Sequence, residues 1–155
     1  VRTSALPRVT PLRPCRAMDA ALLETSLALV DTPADGLTTR LYAILFDRYP
    51  AVRPMFSEDM GRQAKMLRSA IISVVDHLDD PTWLTETLGS LGARHASWGV
   101  VAPMYDAVTE CMVAAMSELG GEAWASQMTD AWVEARDAVS GLMLLGYPSD
   151  AELAS

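Results

Sequence analysis

The chain has 155 residues, 50% of them hydrophobic and 21% charged, an ordinary globular balance that excludes disorder throughout and makes one domain with a real core the simplest organisation. Lys+Arg number 12 against 20 Asp+Glu, a net charge of −8 with Lys65 as the single lysine, so no cluster of cations could track a phosphate backbone and nucleic acid is excluded as a partner. The best apolar runs, 70–75 and 140–145, fall far short of the roughly 18 residues needed to span a bilayer, so the protein is predicted to be soluble and free of membrane.

Residues 1–17 carry Arg2, Arg8, Arg13 and Arg16, no acid, and Pro7, Pro11 and Pro14, a composition that neither holds a helix nor buries much surface. This segment is predicted to be a disordered extension. An organellar transit peptide is the alternative reading, but amphipathic periodicity is missing, and an upstream extension ahead of a natural start at Met18 explains the segment more simply. Without its arginines, 8 cations face the same 20 acids, which leaves the remainder near −12. The two cysteines, Cys15 and Cys111, lie far apart, which is neither a disulfide framework nor zinc spacing and fits a reducing cytoplasm.

From Met18 the apolar residues recur at intervals of three and four, and no stretch alternates long enough for a strand, so the domain reads as all-α. The pattern predicts a first helix over Ala20 to Val30. Asp31-Thr32-Pro33 closes it and opens a second, with Thr32 as cap and Pro33 at the first helical position. That helix presents Leu37, Leu41, Ile44 and Leu45 and stops at Pro50, where a corner carries Pro54, Met55 and Phe56. Between about Asp59 and Leu78, Met66, Leu67, Ala70, Ile71, Val74, Val75 and Leu78 form one stripe, which predicts a long, well-buried helix.

Asp80-Pro81 pairs an N-cap with a proline at the first helical position and opens a less apolar helix through Leu84, Leu88 and Leu91 to His95, loosened by Gly89 and Gly92. A further helix begins at Pro103, presents Met104, Ala107, Val108, Cys111, Met112, Ala115 and Leu119, and ends at Gly120-Gly121. The last presents Trp124, Met128, Trp132, Ala135, Val139, Leu142 and Met143, and breaks at Gly146 and Pro148. Six to seven helices with short connections make one domain over 18–147, followed by a tail over 148–155. The methionines Met104, Met112, Met116, Met128 and Met143 read as adaptable core filling, and Cys111 as a small buried hydrophobe.

The chain has two histidines. His77 stands among Asp76, Asp79 and Asp80 at a helix end, where a solvated cation is favoured. His95 lies at the break between two helices, from which an imidazole can project into a pocket. From Gln63 the chain descends about 22 Å to Leu78 and climbs about 21 Å from Pro81 to His95, at 1.5 Å per residue. Gln63 and His95 therefore finish at the same level, on either side of a gap lined by Leu67, Ile71, Leu88 and Leu91. Zinc wants three or four protein ligands and calcium a cluster of oxygens. A flat apolar slot with one nitrogen ligand suits a haem, which needs only one.

Over about Met18 to Leu145 the sequence resembles bacterial globins of the flavohaemoglobin and single-domain type. The segment LTTRLYAILFDRYPAVRPMF aligns Tyr42 with the family's distal tyrosine and Phe56 with the phenylalanine that wedges against the haem. GRQAKML places Gln63 at the distal glutamine, with Leu67 a turn further on, and His95 follows 32 residues later as the proximal iron ligand. Tyr105, in VAPMYDAV, falls on the tyrosine behind that histidine, and DAW at Asp130 to Trp132 matches the last helix. The resemblance implies a globin fold, a three-over-three helical sandwich, around haem b. It further implies O2, NO or CO as ligands at a pentacoordinate iron, with Tyr42 and Gln63 as distal hydrogen-bond donors and catalytic residues. Leu91 lines the haem, and Arg94 pairs with a propionate or a partner. The family's late-helix glutamate, a carboxylate that strengthens the proximal imidazole, is replaced on an ungapped count by Ser149.

An NO dioxygenase activity, converting nitric oxide and O2 to nitrate, would require a separate reductase. Two other readings stand beside this one: a haem-based gas sensor or globin domain of a larger fused protein, and a helical bundle that kept the fold without haem. Monomer and homodimer both remain open.

Overall fold

A computed structural model describes residues 19–32 and 35–149. The expected leader over 1–17, with Cys15, and Pro33 lie outside the described residues, as does all of the expected tail but Pro148 and Ser149. The described residues form six α-helices and no strand: α1 Ala20–Val30, α2 Gly36–Arg48, α3 Met60–Asp76, α4 Pro81–Ser97, α5 Ala102–Gly120 and α6 Ser126–Leu145, with short 3-10 helices at Pro50–Met55 and Gly121–Ala123. None of the described helices is long and apolar enough to cross a membrane.

Local chemistry explains the starts and stops. Asp19, Asp59 and Asp80 each accept a hydrogen bond from the amide three residues on, those of Leu22, Arg62 and Trp83, which satisfies one of the orphan donors of the first turn. Pro81 occupies the first turn of α4, as its missing N–H allows. The α5 helix stops at Gly121, whose φ of 54° suits a residue without Cβ. The start of α2 differs from the sequence expectation. Asp35, at φ 58°, turns the chain into a helix that begins at Gly36. Trp124 likewise precedes α6, closing the second 3-10 helix.

The core falls in two clusters. The larger joins α1, α2, α5 and the first half of α6 through residues such as Leu23, Leu41, Leu45, Met116 and Trp132, with Leu67 and Ile71 of α3 packed against it. The smaller is built on Leu84, Leu88 and Met143, with Val74, Leu91, Tyr105, Val139 and Leu142 around it. The α4 helix packs mainly on α6, and α3 on α2, rather than α3 and α4 on each other. This explains why α3 departs from the well-buried helix the periodicity predicts: only Ala64 and Val75 are buried, and Met66 is 55% exposed. The stripe of α3 divides between the clusters, Leu67 and Ile71 packing against the larger and Val74 against the smaller.

Polar ties add to the hold on α3. Arg68 grips Asp31 through two bonds of 2.8 and 2.9 Å, and the buried Thr38 hydroxyl donates to the Ala64 carbonyl at 2.9 Å. On the other side, α4 and α6 approach backbone to backbone. A Cβ on Gly92 would overlap the Met143 carbonyl, and one on Gly146 would overlap the carbonyl of Gly89. Gly92, read as loosening α4, is therefore, with Gly146 at the end of α6, what lets the two helices close.

Candidate functional site

The expected site residues divide between the two clusters. Tyr42, fully inside α2 and 6% exposed, accepts a hydrogen bond from the Gln63 side-chain amide at 3.0 Å. The polarity of that bond matters, because Tyr42 acts as acceptor and keeps its own O–H free to donate elsewhere. Burial pushes the phenol above its usual pKa, with the Gln63 contact pulling weakly the other way, so the proton stays on oxygen. Phe46 and Phe56 flank the ring, with centroids 5.8 and 5.4 Å from that of Tyr42. Phe56 leaves the 3-10 corner, where Arg53 donates to its carbonyl and to that of Ser57. Leu67, one turn beyond Gln63, is half-buried against this same cluster.

On the other side stands His95, half-buried in the last turn of α4. Its Nδ1 lies 2.8 Å from the carbonyl of Leu91. A carbonyl can only accept, so Nδ1 carries the hydrogen and Nε2 keeps a free lone pair, the arrangement a metal-ligating imidazole needs. The His95 ring lies 5.2 Å from Trp98 and 6.0 Å from Tyr105. Leu91 is half-buried with the smaller cluster, whereas Leu88, expected on the gap, is itself core at 2% exposure. Arg94 is exposed and, with Glu86, Thr87, Ser90 and Leu91, lines an open cleft of about 400 Å³ along α4.

Tyr105 has a partner that the sequence reading missed. The Tyr147 hydroxyl donates to the Val100 carbonyl at 2.9 Å, so in its 2.8 Å contact with Tyr105 the donor is Tyr105. Burial, and then this contact, holds the Tyr105 phenol well above its usual pKa. Val100 in turn donates its amide to the His95 carbonyl at 3.0 Å. The turn after α4 is thus roped to the end of α6, and the Tyr105 proton is directed at Tyr147 rather than at the imidazole. A signal existed in the sequence: an aromatic residue between Gly146 and Pro148, where a chain leaving a helix can fold back.

His77, expected as a solvated cation, instead stacks on Trp83 with centroids 3.8 Å apart and bonds the Ser73 carbonyl through Nδ1. No group of three or more His, Cys, Asp or Glu side chains among the described residues could hold a metal ion.

The family model for globins matches residues 39–143. The chain belongs to the globin family. This globin is 27% identical over 127 residues to the flavohemoprotein of Bordetella pertussis, a match covering 80% of this chain and 32% of that one. Among solved structures, an engineered carbene transferase from Rhodothermus marinus shares 29% identity and a TM-score of 0.70, covering 80% of this globin and 87% of that chain. The flavohemoglobin of Malassezia yamatoensis, solved with bound FAD and heme, has the same fold at a TM-score of 0.69 and 21% identity, over 82% of this globin and 35% of that chain. This globin spans about a third of the length of the curated flavohemoproteins it matches.

Proposed function

We propose that this globin binds haem b in the break between its two core clusters, where His95 Nε2 would hold the iron and Tyr42 and Gln63 would be the hydrogen-bonding groups available to a small gas. The reading is supported by two polar sets, one associated with each cluster. A histidine with Nδ1 committed and Nε2 free belongs to one, and a tyrosine whose proton is free belongs to the other. The half-buried side chains of Leu67, Ile71, Val74 and Leu91 supply the apolar walls a flat macrocycle requires, and exposed Arg94 sits where a propionate could be met.

When bound, haem supplies an iron atom that takes up O2, NO or CO and, with an electron donor, supports oxidation of nitric oxide to nitrate. The residues of this chain do the rest. Leu91 fixes the imidazole tautomer, Gln63 polarises Tyr42 by donating to it, and Tyr42 donates to the partly negative atom of the gas. Phe46 and Phe56 hold the phenol and keep water from it. Electrons would come from a reductase, a partner that the likeness to flavohemoproteins supports. The share of their length that this globin spans favours a second reading, in which this globin is the gas-sensing or electron-accepting part of a larger protein; coding sequence running on past Ser155 would support it.

Absorption spectra of the haem-supplied protein, ferric, dithionite-reduced and under CO, test the proposal. A Soret band moving to the histidine-ligated CO-ferrous position is expected, and His95→Ala should abolish stoichiometric haem uptake. A normal band retained in His95→Ala would sink the assignment.

A further inference from the structure

We infer that Thr38 is a positioning residue for the Tyr42–Gln63 pair, its buried hydroxyl setting the register of α3 on α2 where that pair forms. The inference rests on the reading of Tyr42 and Gln63 as the ligand-facing pair. Thr38 has no solvent exposure. Its hydroxyl donates across to the Ala64 carbonyl at 2.9 Å, with the Asp35 carbonyl of its own chain turn as a longer alternative at 3.2 Å. Ala64 is the residue after Gln63. Tyr42 is four residues after Thr38 and so lies on the same face of α2. Two adjacent positions of α3 are thereby tied to two adjacent positions on one face of α2: Ala64 to Thr38, and Gln63 to Tyr42.

The two ties are unequal in kind. The Gln63 contact joins two long side chains, whereas the Thr38 contact runs from a stiff β-branched residue to backbone. The Ala64 carbonyl has a second lone pair, so it accepts from Thr38 without giving up its helical bond. A hydrogen bond to backbone fixes where α3 sits along its axis. Apolar contact is non-directional and would let it slide. The apolar contacts of α3, made by Val75 and the half-buried Leu67, Ile71 and Ile72, press it onto α2 without selecting that position. The Arg68–Asp31 pair is half exposed at the rim, where solvent weakens it.

O2 release from the ferrous, haem-loaded protein tests this in a double-mutant cycle. Thr38→Val keeps the shape without the hydroxyl and is expected to release O2 about three- to tenfold faster, the cost of loosening one donor bond to the gas. Thr38→Ser retains the hydroxyl and should restore the parent rate, with the C–O stretching band of the CO form shifting and recovering in parallel. In a Tyr42→Phe background Thr38→Val should add nothing, because the pair it positions is already gone. Thr38→Ala gives the same comparison if the valine variant does not fold. Parent-like release in Thr38→Val, while Tyr42→Phe speeds it, overturns this inference alone; so does equal acceleration by Thr38→Val in both backgrounds. An unchanged rate in Tyr42→Phe overturns the reading of the pair, and this inference with it.

Discussion

At the scale of single residues, the proximal side is defined by where protons are forced to go. Tyr147 must donate to Val100 and Tyr105 must donate to Tyr147, so the tyrosine behind His95 has no proton left for the imidazole. His95 Nδ1 meets a backbone carbonyl instead of a carboxylate, and under the proposed ligation a neutral acceptor would strengthen the imidazole less than an anion does. Replacing Tyr147 by Phe leaves the Val100 carbonyl and the Tyr105 hydroxyl without their partner. A loss of about 1 kcal/mol is expected, seen as a fall of about 3 °C in melting temperature, together with a Tyr105 phenol that titrates at lower pH than in the parent. An unchanged melting curve would show that the tyrosine chain ties nothing. His95 and Tyr42 stand out in the sequence because each has a distinctive residue type at a distinctive spacing. Tyr147 does not, because an ungapped count runs straight through the end of α6 to Ser149, and a chain that folds back after Gly146 does not obey helical counting.

At the scale of elements, the Asp80 cap was legible, since an Asp before a proline and a helical pattern has a local reason to pair an orphan amide, whereas the caps at Asp19 and Asp59 went unread and the one expected at Thr32 gave way to a start at Asp35. Of the two glycines of α4, Gly92 was read by propensity and misjudged. Gly92 is buried against the backbone of α6, and its lack of a side chain is what permits the contact. Gly92→Ala should therefore destabilise by more than about 2 kcal/mol despite alanine's better helix propensity, because backbone atoms of Met143 must move. Gly141→Ala, where an added Cβ meets nothing within 4 Å, should instead stabilise by about 0.5–1 kcal/mol. Chemical denaturation of both variants checks the pair, and equal effects would refute the packing argument. The stripe on α3 shows the converse limit: periodicity identifies an apolar face but does not say whether protein or another apolar body covers it.

For the whole molecule, the division of the core sets how the two halves depend on each other. The larger cluster is self-sufficient, with Trp132 bonding Ser26 across its centre at 2.9 Å, whereas the smaller rests on three buried residues. Without haem, amides of α4 and the second half of α6 should exchange with solvent faster than those of α2 and α5, because local opening follows local burial. Haem at a thousandfold excess over its dissociation constant should add about 4 kcal/mol and bring the two halves toward one rate. Hydrogen exchange with and without haem reads both effects, and uniform protection in the absence of haem would contradict the split. A cell sees the same division as a matter of turnover. Proteases act on whichever segment opens first, so chains made when haem is scarce would be cut within α4 and cleared, and the standing amount of this globin would follow the supply of its cofactor without any regulator of its gene.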